Sequence, residues 1–286
     1  MQVFQVHRFA SDWRDIPARM YSSLLGHWPE YLMEAAQLFL YMISAGIFTI
    51  LVQSPASSLY GWIPSPLLRR AVIGVALGLT SIVLVYSPWG RQSGGHFNPA
   101  ITITYWRLGK VKTLDALFYV AAQIAGGTAG VAVLSLLVGD LFRLPPVNYV
   151  TTQPGSGGLW LAFAGELILS FFLMSTILFA SNRLNIARYT GLFTGALMAL
   201  FITFEQPISG MSLNPARTFS SALPAESWRG WWIYFVGPVI GMLFAIDVGE
   251  RLFHWPMNAC AKLYHDNDKR CIFCGRQPGK PSNSSS

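Results

Sequence analysis

Two stretches of the chain decide its fold: "SGGHFNPAITI" at residues 93–103 and "SGMSLNPARTF" at residues 209–219. Each contains Asn-Pro-Ala, and the two asparagines, Asn98 and Asn214, lie 116 residues apart. Asparagine is a favoured N-cap, and proline suits the first helical position because its missing N–H would have no partner there. Only about eight or nine residues follow before the apolar run is interrupted, which is ~12–14 Å of helix at 1.5 Å per residue. Each copy therefore predicts a helix that crosses about half of a bilayer.

The rest of the chain has the composition of a membrane protein. Charged residues make up 12% of the sequence, against about 25% in soluble proteins, and the mean hydropathy is +0.41. This low charge argues against reading the apolar runs as core helices of a soluble protein. Six runs approach the ~20 apolar residues that a spanning helix needs: 31–52, 71–87, 113–138, 159–180, 189–205 and 230–249. We predict an all-α membrane protein with six transmembrane helices and two half-helices.

The order of these elements predicts an inverted repeat. Glu34 lies in the first run and Glu166 in the fourth, and each is followed by a second run and then by an Asn-Pro-Ala copy. Each half, about 30–138 and 159–255, contains three spans, so the second half must enter the membrane in the opposite sense. Inverted repeats place a substrate path near the midplane, between the halves.

The basic residues predict the orientation. With six spans both termini share one side, and that side carries fifteen of the twenty Lys and Arg residues. The positive-inside rule then places both termini in the cytoplasm, in the plasma (inner) membrane. The +7 net charge thus lies beside the membrane, so we expect lipid headgroups rather than nucleic acid as its partners. The first 30 residues are charged and lack an apolar stretch, so the first span should act as its own insertion signal.

At this point the sequence resembles the aquaporin, or major intrinsic protein, family of membrane channels. The resemblance covers about residues 30–250 and includes "AAQIAGG" at 121–127 and "YFVGPVIG" at 234–241. It implies a channel domain at 30–255, flanked by a cytoplasmic segment at 1–29 and a cytoplasmic tail at 256–286. It also implies a homotetramer in which each subunit has its own pore for water and small uncharged solutes, with no cofactor and no enzymatic activity.

The resemblance further implies that the two half-helices meet at mid-bilayer. Helix N-termini carry partial positive charge, so two of them facing one constriction should repel cations, while the asparagine amides donate to a passing water. The pore motifs are Asn98, Pro99, Ala100, Asn214, Pro215 and Ala216, and the carbonyls expected along the file are those of Gly94, Gly95, His96, Gly210, Met211 and Ser212. His96 has two interpretations, a titratable gate or a packed loop residue, and we favour the second.

The predicted selectivity filter is largely apolar. Arg217 follows the second motif directly, and an intramembrane arginine indicates a functional site, although an arginine reaching to headgroups is the alternative. Counting from Asn214 gives Ile202 and Met211, and the position in the second span is Leu77, or Gly78 if the count from Asn98 has no gap. Such a wall leaves two options, a water channel or a facilitator for hydrogen peroxide, ammonia or glycerol-like polyols. By resemblance to the family's water channels, Thr218 and the aromatic pair at 234–235 favour water.

The two acids, by resemblance, hold loop N–H groups in place. Glu34 lies near the start of its span, so an interfacial position is the alternative for that residue. A secondary active transporter would also have inverted repeats, but it should carry acids or cation sites at the midplane, where this chain has amides. A membrane redox enzyme using the tail cysteines is a further alternative, without a cofactor motif to support it.

The tail contains all three cysteines of the chain. Cys271 and Cys274 form a C-x-x-C pair, and with Cys260 and His265 they could complete a zinc site. One such pair is a weak signal, so we predict free thiols, acylated beside the membrane, rather than a metal site. The last residues, 278–286, have a composition typical of disorder.

Overall fold

The computed structural model describes residues 15–255, 257 and 260–278, and within them the chain is helical, without a β-strand. Predictions for residues 1–14 and 279–286, which include most of the expected disordered end, lie outside the described residues. Eight main helices are labelled in chain order: α1 (Ile16–Gln53), α2 (Pro66–Tyr86), α3 (Pro99–Arg107), α4 (Thr113–Val138), α5 (Leu159–Ser181), α6 (Thr190–Phe204), α7 (Pro215–Ala225) and α8 (Trp231–Arg251). Short helices cover Ser58–Trp62, Pro88–Ser93, Asp140–Arg143 and Gln206–Ser209.

Six of these helices are long and apolar enough to cross a membrane, as predicted: α1, α2, α4, α5, α8 and α6 together with the turn before it. Two begin earlier than the hydropathy indicated. α1 begins at Ile16 rather than at 31, with a proline in its first turn, since polar residues can continue a helix beyond the membrane. α2 begins at Pro66 rather than at 71, because Ser65 accepts a hydrogen bond from the Leu68 N–H and caps the helix.

The half-helices α3 and α7 begin as the sequence predicted, at the proline after each asparagine. The side-chain oxygen of Asn98 accepts from the Ala100 N–H at 2.9 Å, and that of Asn214 accepts from the Ala216 N–H at 3.1 Å. At nine and eleven residues they are ~14 and ~17 Å long. The sequence predicted that the second half-helix would end before Pro224. α7 instead continues to Ala225, because a proline in the last turn removes one hydrogen bond without stopping the helix.

The packing repeats between the two halves. α1 packs on α4 in the first half and α5 packs on α8 in the second, while α2 and α6 pack across the halves. A Cβ on Gly126 would lie 2.0 Å from the Ala35 carbonyl oxygen, and one on Gly241 would lie 2.2 Å from that of Leu167. Small residues allow such close approach of membrane helices. Ala35 and Leu167 directly follow the two acids, so both halves use the same contact beside the same residue.

Candidate functional site

The half-helices meet at their N-terminal ends, where each asparagine binds the loop of the opposite half. The Asn98 Nδ2 donates to the Leu213 carbonyl at 2.8 Å, and the Asn214 Nδ2 donates to the Phe97 carbonyl at 2.8 Å. Both asparagines are buried. An amide NH₂ has two hydrogens, so each cross-bond uses one donor and leaves the other. The two motifs that lie far apart in the sequence therefore form one site.

The loop before α3 is held by Glu34. Phe97 has a φ of +30°, a conformation that costs free energy for a non-glycine residue unless its surroundings hold it. The Glu34 carboxylate accepts from the N–H of Phe97 at 2.6 Å and from that of His96 at 3.1 Å. The carboxylate also accepts from the Gln123 side chain of α4 at 2.8 Å. Glu34 is fully buried, which does not fit an interfacial position.

The loop before α7 has the same construction. Leu213, with a φ of +55°, occupies the position equivalent to Phe97. The Glu166 carboxylate accepts from the N–H of Leu213 at 2.7 Å and from that of Ser212 at 2.7 Å. Glu166 is also fully buried. Each acid therefore fixes the loop residue whose carbonyl accepts a hydrogen bond from the asparagine of the opposite half.

Two serines support these carboxylates and a third acid lies beside one of them; none of the three residues was singled out from the sequence. Ser93 donates to Glu34 at 2.7 Å and Ser209 donates to Glu166 at 2.8 Å. Both serines begin the Ser-Gly that precedes each motif, so the repeated dipeptide was the available signal. The third residue, Glu205 at the end of α6, has a carboxylate oxygen 2.9 Å from the same Ser209 hydroxyl, whose one hydrogen the two acids share. This acid has no counterpart in the first half, and the repeat therefore gave no reason to select it.

A cavity of about 40 Å³ lies beside the asparagine pair, on the side of the tail. At ~10–15 Å³ per water centre it holds a few water molecules. Its lining joins both halves and the tail: it includes Tyr41, Ser81, Val85, Phe97, Asn98, Ile177, Leu213, Asn214 and Leu263. The cavity gives the site an open volume next to both asparagines.

The structure separates the two candidates for the filter position in α2. A Cβ on Gly78 would lie 2.4 Å from the Gly195 carbonyl oxygen of α6, so this glycine faces a helix crossing. Leu77 lies four residues before Ser81, which lines the cavity, and residues four apart share one helix face. Gly78, three residues before Ser81, lies near the same face but is packed against α6, so we favour Leu77 for the filter position.

The other predicted filter residues are buried in the same region of the fold. Leu77, Ile202 and Met211 are all buried and belong to the main apolar core of the protein. The Nη1 of Arg217 is buried and has no hydrogen-bond partner among the described residues. A buried, unpaired guanidinium N–H costs free energy, which a solute or water accepting from it would offset.

His96 is a packed loop residue. Its Nδ1 lies 3.1 Å from the Thr102 hydroxyl and its Nε2 lies 2.7 Å from the Ala261 carbonyl. Its ring stacks between those of Tyr105 and Phe273. The contacts with Ala261 and Phe273 of the tail were not predicted, because they join residues far apart in the sequence.

The tail also changes one predicted pore carbonyl. The Gly94 carbonyl, expected along the solute path, accepts a hydrogen bond from the Leu263 N–H at 3.0 Å. The tail thus binds a loop carbonyl that the sequence predicted would accept hydrogen bonds along the solute path.

The tail brings together the four residues of the weak zinc candidate. The sulfurs of Cys260, Cys271 and Cys274 and a ring nitrogen of His265 all lie within 4.8 Å of one another, and the three cysteines are free. A hydrogen bond from Cys260 lowers the pKa of Cys271 to about 3, while the same bond raises that of Cys260. The sequence predicted free thiols rather than a metal site; the three thiols are free and, with His265, lie together in one cluster.

Six spanning helices in two inverted halves, with half-helices meeting at paired asparagines, define a multi-pass membrane protein with a site at the junction of the halves. The family model described as "major intrinsic protein" matches residues 24–246. The chain therefore belongs to the major intrinsic protein family.

Several relatives and one solved structure are similar to this chain. Aquaporin NIP1-2 of Arabidopsis thaliana is 38% identical over 173 residues, which cover 59% of this chain and 58% of that protein. A probable NIP-type aquaporin of Nicotiana alata is 36% identical over 205 residues, covering 71% and 70% respectively. The X-ray structure of the aquaglyceroporin from Plasmodium falciparum aligns with a TM-score of 0.64 and 19% identity, over 79% of this chain and 97% of that one. This last likeness concerns the fold.

Proposed function

We propose that the protein is a passive channel for water and small uncharged solutes that excludes ions and protons. The observation that carries the proposal is the pair of asparagines at the N-termini of α3 and α7, each bound to the loop of the other half at 2.8 Å. Membership of the major intrinsic protein family supports it, as do the names of the relatives, which are aquaporins.

The physical argument for exclusion of charge rests on the two helix ends. Each N-terminus carries about half a positive charge from its aligned peptide dipoles. A cation at the asparagine pair meets both ends at once, while the carboxylates of Glu34 and Glu166 point to the loop N–H groups. A water that accepts from the remaining amide hydrogens has its own hydrogens directed away from the site. It cannot pass a proton across the pair, whereas neutral solutes meet no such barrier.

The proposed selectivity filter comprises Leu77, Ile202, Met211 and Arg217. Its single strong donor, the Arg217 guanidinium, has a buried Nη1 that is unpaired among the described residues. This group would donate a hydrogen bond to a solute oxygen and repel cations. The same apolar wall favours a second candidate function, a facilitator mainly for hydrogen peroxide, ammonia or glycerol-like polyols, because it gives water few side-chain partners.

The channel proposal also distinguishes the protein from a secondary active transporter. A transporter couples its flux to an ion gradient and uses intramembrane charges to bind the ion. Here the two central residues are amides, and the nearby acids already accept backbone hydrogens. We also propose a homotetramer in the plasma (inner) membrane with both termini in the cytoplasm, a topology supported by the basic residues on that side. Native mass spectrometry and protease access to a C-terminal tag on intact cells would test these two points.

The test is stopped-flow permeability of vesicles that carry the full chain, for water, glycerol, peroxide and ammonia in parallel. The vesicles are measured with and without a metal chelator, because the tail segment that contains the cysteine cluster also lines the cavity through Leu263. We expect water to move faster than in protein-free vesicles, and the Arg217→Val variant to admit glycerol more readily relative to water. The Glu250→Gln variant, exposed at the end of α8, is the control. Rates equal to those of protein-free vesicles for all four solutes, in both buffers, would refute the channel, and dependence on an ion gradient would favour the transporter.

A further inference from the structure

The four tail ligands have the spacing of a metal site. The Cys260 and Cys271 sulfurs are 3.3 Å apart, and the His265 Nε2 lies 3.3 Å from the Cys274 sulfur. Tetrahedral zinc, with Zn–S near 2.3 Å and Zn–N near 2.0 Å, places its ligands ~3.5–3.8 Å from one another. Small shifts of these side chains would therefore enclose one ion. Three thiolates and one imidazole are a donor set of structural zinc sites.

The segment around these ligands has no regular secondary structure to hold its shape. Residues 260–278 contain no helix or strand, and a segment this short cannot build a hydrophobic core of its own. The C-x-x-C turn is closed by hydrogen bonds from the Gly275 N–H to the Cys271 carbonyl and from the Cys271 N–H to the Arg276 carbonyl. Gly275 has a φ of +76°, which only glycine adopts readily. This local turn presents both sulfurs on one side.

The charges near the cluster fit a bound ion. Zinc with three thiolates carries one net negative charge. Lys262 is buried, interacts electrostatically with all three cysteines, and donates to the carbonyls of Arg91 and Arg270. A buried ammonium is compensated by a negative metal centre beside it.

The same segment is bound to the mouth of the cavity. The His96 Nε2 donates to the Ala261 carbonyl at 2.7 Å, and the Leu263 N–H donates to the Gly94 carbonyl at 3.0 Å. The side chain of Leu263 lines the cavity together with Asn98 and Asn214. Arg270 adds an ion pair with the buried Glu30 of α1. Along the tail, the four candidate metal ligands thus alternate with residues that contact the pore loop.

We propose that Cys260, His265, Cys271 and Cys274 bind one zinc ion, and that the ion holds Ala261–Leu263 against the pore loop so that the tail narrows the mouth. The first part is a metal site and stands by itself. The second part rests on the proposed channel function: loss of zinc releases the segment and raises the permeability.

The metal site is tested by zinc content. The full chain, purified in detergent from cells grown with zinc, should contain about one zinc ion per chain, and the Cys271→Ser and Cys274→Ser variants should lose it. The Asp266→Asn variant, which changes an exposed acid beside the ligands, should retain it. Absence of zinc from the wild type, an intact disulfide between Cys260 and Cys271 in its place, or zinc retained by both serine variants would overturn the site.

The effect on the mouth is tested by water permeability of the same preparations in vesicles. Chelation of the wild type should raise permeability severalfold, and Cys271→Ser should be fast with or without chelator. Leu263→Ala should keep its zinc and still give a higher water permeability than the wild type. This variant separates the narrowing by the Leu263 side chain from the binding of the metal, and it does not depend on folding of the serine variants. Equal rates in the loaded, stripped and Leu263→Ala proteins, above those of protein-free vesicles, would overturn the narrowing and leave the channel intact. Rates at the protein-free level in every sample would refute the channel and the narrowing together, while the zinc count still decides the site.

Discussion

Each motif asparagine makes two kinds of hydrogen bond at once. The oxygen of Asn98 caps α3 by accepting from Ala100, and its nitrogen donates to Leu213 of the other half. A carboxylate can do the first and not the second, and a methyl group can do neither. The sequence predicted the cap, since Asn before Pro marks a helix start. The cross-bond could not be predicted from the residues alone, because it depends on the meeting of two distant loops.

Substitutions at Asn98 can separate these two roles. Asn98→Ala should lose the cap, about 1 kcal/mol, and leave the Leu213 carbonyl without its donor, a further ~1–3 kcal/mol. Asn98→Asp keeps an acceptor for Ala100 but presents oxygen to the carbonyl, so it should lower the water permeability while keeping the cap. The measurements are the unfolding midpoint in detergent and stopped-flow permeability. Wild-type permeability in the Asp variant would contradict a role for the amide donor.

The buried acids are a second case at the residue scale. Glu34→Gln places an NH₂ against the N–H groups of Phe97 or His96, so at least one charge-assisted bond, worth about 1.5–3 kcal/mol, is lost. We expect a lower unfolding midpoint, measured in detergent, and reduced water permeability because the loop loses its fixed conformation. Glu250→Gln, at an exposed position, is the matched control. An unchanged midpoint for Glu34→Gln would show that the loop does not depend on the carboxylate.

At the scale of the helices, what could be predicted followed from composition and spacing. Six apolar runs gave six spanning helices, and two Asn-Pro-Ala copies gave two half-helices. The start of α1 at Ile16 was missed because hydropathy detects the membrane rather than the helix. The short helices before each loop, Pro88–Ser93 and Gln206–Ser209, were missed because segments of a turn or two leave no periodic pattern.

The crossing of α1 and α4 gives a prediction at this scale. A Cβ at Gly126 would lie 2.0 Å from the Ala35 carbonyl oxygen, so Gly126→Ala must push apart two helices beside Glu34. Overpacking of this kind costs about 1–3 kcal/mol, and the expected result is a lower unfolding midpoint and a smaller yield of folded protein by size-exclusion chromatography. Gly26→Ala is the control, because Gly26 lies in α1 and a Cβ added there has no atom within 4 Å. Equal midpoints for the two variants would contradict close packing at this crossing.

At the scale of the whole molecule, the inverted repeat explains why the site forms where it does. Each half supplies one acid, one loop and one half-helix, and the site exists only where the two sets meet. The tail is the part of the molecule that the repeat did not predict. Its contact with the pore loop joins His96 to Ala261 across 165 residues, and the C-x-x-C pair by itself gave no indication of that docking surface.

The most direct measurement of the central claim records water and proton fluxes on the same vesicles. Water is followed by light scattering after an osmotic step, and protons by an internal pH dye after a pH step, with the chelator present in both. The account predicts water movement well above that of protein-free vesicles, with a proton leak equal to theirs. A proton flux that rises with the amount of protein, or water movement no faster than in protein-free vesicles, would contradict a passage in which two helix ends and their paired amides admit water and exclude charge.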